Sequence, residues 1–156
     1  MNMFTKLASL LFGFGLSGVL SAAELTITTT LQSYAGNGAY LAFYLTDANG
    51  KYQRTLWLSG SKSKYYKHLS DWARGSSLQQ KEYDGLTGAS VNSGATLTIK
   101  VPIDDALIDS GYLIRVDSAV EDQSAHRIDI EVPLTQLGVG VKVTGSGYIK
   151  SLSYTL

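Results

Sequence analysis

The chain has 156 residues, with 13 basic and 13 acidic side chains and no cysteine. Balanced charge leaves no electrostatic basis for holding a polyanion such as nucleic acid, and the lack of cysteine excludes disulfides and thiolate metal sites. Stability must therefore come from packing.

Lys6 precedes an apolar run over residues 7–20, and Ser21-Ala22-Ala23 then offers the small residues that a signal peptidase requires. This reads as a secretory signal over residues 1–23, cleaved after Ala23. The run is interrupted by Gly13, Gly15 and Gly18, and it falls short of the roughly 20 residues that cross a bilayer; an uncleaved anchor is the alternative. No cysteine follows to carry a lipid. Residues 24–156 remain as one domain without a transmembrane segment, periplasmic or otherwise secreted, with one net negative charge once Lys6 is removed.

Residues 24–31 alternate apolar and polar side chains in their first half, at the two-residue period of a half-buried strand. A second strand is expected over residues 39–46, with Tyr40, Ala42 and Tyr44 on one face and Leu41, Phe43 and Leu45 on the other. Both faces are largely apolar. Asp47-Ala48-Asn49-Gly50 supplies turn chemistry, and residues 52–58 return as the second arm of a hairpin. Between residues 65 and 74 the period changes: Tyr65, Leu69 and Trp72 fall on one side of a short helix. A long glycine-containing connection then runs to Gly94, and connections of that length are usually functional or disordered.

Further strands are expected over residues 96–101, 111–116, 127–132, 139–144 and 148–156, with Pro102 and Pro133 ending theirs. At least seven strands, glycine-containing connections and one short helix predict an all-β fold. The expected architecture is an immunoglobulin-like antiparallel β-sandwich rather than a parallel α/β arrangement.

Several pieces of this sequence carry a resemblance. They are Tyr40-Leu41-Ala42-Phe43-Tyr44-Leu45-Thr46-Asp47 followed by Gly50-Lys51, then Arg54-Thr55-Leu56-Trp57-Leu58, then Lys64-Tyr65-Tyr66 leading to Leu69-Ser70-Asp71-Trp72. From residue 39 to about residue 135 their order resembles a bacterial predicted-periplasmic family, domain-of-unknown-function family 2271. The family's Ser-Gly-Ala-Thr element corresponds to Thr87-Gly88-Ala89-Ser90. Its usual Trp-Asp-Gly-x-Asp segment is replaced by Lys100-Val101-Pro102-Ile103-Asp104-Asp105, and its later Glu-His-Gly segment by Gln123-Ser124-Ala125-His126.

Asp84-Gly85-Leu86-Thr87-Gly88-Ala89-Ser90 also resembles the acceptor site to which extracytoplasmic flavin transferases attach FMN. The resemblance implies that Ser90 is the acceptor hydroxyl, in a place where threonine is more usual. Asp84 and Thr87 would then serve recognition or metal positioning during transfer, Gly85 and Gly88 make the backbone accessible to another enzyme's cleft, and Ala89 completes the matching segment. Tyr65, Tyr66 and Tyr83 are aromatic groups that could flank a flavin. The plainer reading of the same residues is ordinary turns, with Asp84-Gly85 favouring positive φ and Thr87 or Ser90 bonding the backbone.

Other chemistry is thinly supported. His68 and His126 are the two histidines, and neither has a zinc-binding spacing; His68 and Asp71, three apart, share a helix face if one helix spans them. Asp104, Asp105 and Asp109 lack the spacing of a calcium loop. No nucleophile elbow or phosphate loop is present. No catalytic or metal-ligating residue is assigned.

The expected function is a periplasmic electron-transfer flavoprotein with covalent FMN at Ser90. It would be served by a flavin transferase and exchange electrons with membrane-associated redox partners, iron reduction or uptake being one setting. The alternative is a noncatalytic secreted module that binds another envelope protein through a sheet face or its connection over residues 62–94.

Overall fold

The computed structural model describes residues 21–156. Most of the expected signal segment lies outside the described residues. The expected cleavage point after Ala23 falls inside the first strand, β1 (Ala22–Leu31); cleavage there would start the mature strand at Glu24, opposite Pro102. No described helix is long and apolar enough to cross a membrane.

Among the described residues, seven full strands and one two-residue strand form two sheets. After β1 come β2 (Tyr40–Thr46), β3 (Tyr52–Ser59), β4 (Thr87–Gly88), β5 (Thr96–Asp104), β6 (Leu113–Ala119), β7 (Ala125–Pro133) and β8 (Ile149–Thr155). One sheet has the order β5-β1-β8 and the other β4-β3-β2-β6-β7. This is the expected all-β sandwich. With β1, β2, β3, β5, β6 and β7 placed as immunoglobulin strands B, C, C′, E, F and G, the orders match. The last strand, β8, takes the place of strand A beside β1.

The core follows from side-chain alternation. Leu25, Ile27 and Leu31 of β1 and Ile99, Val101 and Ile103 of β5 meet Leu41, Phe43 and Leu45 of β2 between the sheets. Every residue of β2 is buried, because the opposite face of this strand is also covered. Tyr40, Ala42 and Tyr44 pack there with Tyr66, Leu69 and Trp72. The hairpin closes as expected: Asp47 Oδ1 accepts from Asn49 N and Lys51 N, both at 2.9 Å, while Gly50 takes φ +79.

Three sequence expectations are corrected. The helix is two pieces, a 3-10 helix over Ser63–His68 and α1 (Ser70–Ser76), broken at Leu69. A 3-10 turn repeats every three residues, so Tyr66, Leu69 and Trp72 point inward and Tyr65 is only half-buried. Pro102 does not end its strand but sits within β5, which tolerates proline because it is an edge strand; Pro133 does end β7. Residues 139–144 form no strand, only a bridge between Val143 and Leu152. Gly138 and Gly140 punctuate that segment, and it is mostly exposed, so no apolar face draws it into a ladder. The long connection that follows α1 carries a 3-10 turn over Gln80–Glu82 and the two-residue β4.

Candidate functional site

The segment over residues 84–90 runs along the open edge of the five-stranded sheet. A turn closes with Leu86 N donating to Tyr83 O at 2.9 Å, and Gly85 takes φ +74 with open space where a Cβ would stand. The chain then lies parallel to β3: Leu58 N donates to Leu86 O and Gly60 N to Gly88 O, both at 2.8 Å. Gly88 is needed there, since a Cβ would meet Trp57 Cζ2 at 2.6 Å. Beyond Ala89 and Ser90, Val91 exchanges both backbone hydrogen bonds with Ala39.

The segment over residues 84–90 is thus tied at both ends, and both of its glycines have conformational or packing reasons to be glycine. Asp84, Thr87, Ala89 and Ser90 are nevertheless exposed. Asp84, Gly85 and Thr87 share a cavity of about 310 Å³ with Tyr66, Gln80 and Tyr83. Ser90 is not part of its lining; its hydroxyl lies beside Gly38, where a Cβ would stand 2.5 Å from Ser90 Oγ.

Of the three tyrosines singled out in the sequence, two flank this cavity. Tyr66 and Tyr83 meet edge-to-face at 5.4 Å between centroids, and Tyr66 Oη donates to Gly60 O at 2.7 Å. Burial first, then the neighbouring Tyr83 and Tyr40, push the Tyr66 phenol above its ordinary pKa. Tyr65 belongs elsewhere, packing against Tyr40 and His68.

The remaining sequence candidates have structural partners. His68 and Asp71 sit on different helical pieces, and Asp71 holds Arg127 at 2.8 Å and Arg74 at 3.4 Å instead. His126 packs on Tyr148, with 5.0 Å between ring centroids, and against Gly147. Asp104 Oδ1 accepts from Ala106 N and Asp109 Oδ1 from Gln136 N.

Sequence reasoning missed Asp117. Although fully buried, its carboxylate has four donors: Tyr44 Oη at 3.0 Å and Ile128 N at 2.9 Å on Oδ1, with Asp71 N and Trp72 N, each at 2.9 Å, on Oδ2. The residue before α1 is Leu69, which has no capping oxygen, so Asp117 on β6 caps the helix from across the sheet. It also receives Ile128, a β-branched residue at φ +47, in a conformation such residues rarely adopt. There the pairing jumps from Val116↔Ile130 to Ser118↔His126, a bulge in β7. The available signal was a lone carboxylate within Leu113-Ile114-Arg115-Val116-Asp117-Ser118-Ala119.

A family model described as "Predicted periplasmic protein (DUF2271)" matches residues 22–151. The match runs from the start of β1 into β8 and is longer than the stretch legible from motifs. No curated protein and no solved structure matches the chain.

Proposed function

The chain belongs to this predicted periplasmic family, DUF2271, and on that premise we propose that it is a periplasmic electron-transfer flavoprotein carrying FMN covalently on Ser90. The observation that carries the reading is the exposure of Ser90 on a hydrogen-bonded edge segment whose Asp84, Gly85 and Thr87 open into the tyrosine-flanked cavity. A buried Ser90 would have been incompatible with attachment by a second enzyme.

In the attachment step, Ser90 Oγ bonds to the FMN phosphorus of FAD, the phosphoanhydride bond breaks, AMP leaves with the bond electrons and the serine proton is released. β4 is held to β3 across a two-residue ladder, so a transferase can lift the segment without opening the core. FMN, when bound, supplies electron transfer, and the protein supplies placement and shielding. Tyr66 and Tyr83 offer aromatic edges beside Asp84 and Thr87, and Gly38 leaves room at the ester oxygen. Membrane-associated redox proteins, including those of iron reduction or uptake, are the corresponding partners.

Intact-protein and tandem mass spectrometry of periplasmic material from cells with a matched flavin transferase tests the reading. A mass gain of FMN less one water, localised to Ser90 and lost in Ser90→Ala, is expected. An unmodified chain beside a modified control acceptor would overturn it and leave envelope-protein binding as the better reading.

A further inference from the structure

The far end of the helix-covered face carries a second cavity of about 360 Å³, where Arg74 of α1, Arg115 of β6 and Arg127 of β7 converge beside Tyr52 and Gly75. The three guanidiniums are held in place rather than spent. Arg127 uses Nε on Asp71 and Arg74 uses one Nη on the same carboxylate oxygen. Arg115 uses Nε on Glu131 at 2.6 Å and Nη1 on Gly50 O at 3.4 Å. A guanidinium has five N–H donors, so each keeps donors beyond these contacts.

Asp71 is the carboxylate in the lining. The nearby Asp117 is buried behind the wall with four donors of its own, so it does not compete for the open donors. The bulge at Ile128 redirects β7 next to this cavity, and strained backbone of this kind clusters at ligand sites. Gly50 allows the close approach of Arg115: a Cβ there would meet Nη2 at 2.9 Å.

We propose that this cavity binds the phosphate of a small soluble phosphomonoester, whose organic part rests against Tyr52. A phosphomonoester presents three acceptor oxygens and forms charge-assisted, often bidentate bonds with guanidinium groups. Three arginines from three separate elements match that donor requirement. The site is independent of the flavin reading, since it shares no lining residue with the cavity beside Asp84.

The test uses the full chain carrying Ser90→Ala, which removes the proposed flavin acceptor, with phenyl phosphate and inorganic phosphate as probes in calorimetric titrations. Saturable binding of phenyl phosphate is expected, at least fivefold tighter than inorganic phosphate and at least tenfold weaker in Arg127→Gln and in Arg74→Gln. Those two side chains are largely exposed, so the variants retain the fold. Lys100→Gln, which alters a cation paired with Glu24 on the other sheet, leaves the affinity unchanged. Absence of saturation, no preference over inorganic phosphate, or equal weakening by Lys100→Gln would overturn the proposal.

Discussion

The two faces of β2 are packed by different chemistry. Toward the other sheet, Leu41, Phe43 and Leu45 meet isoleucine, leucine and valine side chains. Toward the helices, Tyr40, Ala42 and Tyr44 meet tyrosine and tryptophan, with polar atoms satisfied inside the layer: Trp72 Nε1 donates to Thr55 Oγ1 at 2.9 Å and Tyr44 Oη to Asp117. Around Leu41, Phe43 and Leu45 the packing is apolar, and the tyrosines of that cluster, Tyr148 and Tyr154, bond backbone carbonyls of Ser124, Pro133 and Thr135, whereas on the aromatic side the rings contacting β2 need their hydrogen bonds made. Both candidate binding cavities border the aromatic side. A layer built from large, polar-tipped rings leaves clefts with donors at its rim, which an interdigitated aliphatic core does not.

The largest test of this contrast is Asp117→Ala. Removing a buried carboxylate with four donors costs about 3–5 kcal/mol, more than an ordinary hydrogen bond, because two helix N–H groups and Tyr44 lose their acceptor. Urea unfolding measures it, and a loss below about 1 kcal/mol would mean that Asp117 does not organise the layer. On the aliphatic face, Leu41→Ala should cost about 3 kcal/mol through the cavity it leaves. In the folded state this variant keeps the near-ultraviolet circular dichroism of the aromatic layer, whereas Asp117→Ala alters it.

Next comes Gly88→Ala. The added methyl meets Trp57, which costs about 1–3 kcal/mol by overpacking; it should shift Trp57 fluorescence and, under the proposed function, lower flavin attachment at Ser90.

The aromatic face also has an alkaline limit. Burial, then the Asp117 carboxylate, push the Tyr44 phenol far above its ordinary pKa. Burial, with Glu82 also raising it, takes Tyr52 to about 12 against an opposing hydrogen bond from Thr55. Because folding favours the protonated phenols, their contribution is whole below the unfolded value of 10.0 and is lost as pH rises through the folded values. Stability measured from pH 9 to 12 should therefore fall above pH 10, with a shallower fall in Tyr52→Phe. A flat profile would show that these phenols do not couple to folding.

The smallest effect is local. The amides of Leu58 and Gly60, bonded to the β4 edge, should exchange with deuterium faster than that of Phe43, which lies in a central strand. Equal protection would mean that the β4 edge opens only with the whole fold.

Much of this contrast was legible in order. Apolar residues on both faces of residues 40–45 mark a strand covered twice, and Tyr66-x-x-Leu69-x-x-Trp72 is visible once a three-residue repeat is considered. Residues 84–90 stood out in the sequence as a motif, but their attachment to β3 did not, because a parallel bridge between Leu58 and Thr87 has no local turn to announce it. The arginine cavity was illegible for a similar reason. Arg74, Arg115 and Arg127 are far apart in sequence, and a bulge, which breaks the two-residue period, shapes the strand beside them.

Alternation, turn residues and the short helical period are properties of neighbours in the chain, so the sequence by itself determined most of the long strands, the hairpin at Asp47 to Gly50 and the β-sandwich class. Only the tertiary structure decided that β8 pairs with β1, that Asp117 caps a helix more than forty residues earlier in the chain, and that the segment around Thr87 and Gly88 forms a sheet edge. Those outcomes depend on which distant groups satisfy one another's hydrogen bonds and fill one another's space, and such pairings leave no periodic mark along the chain.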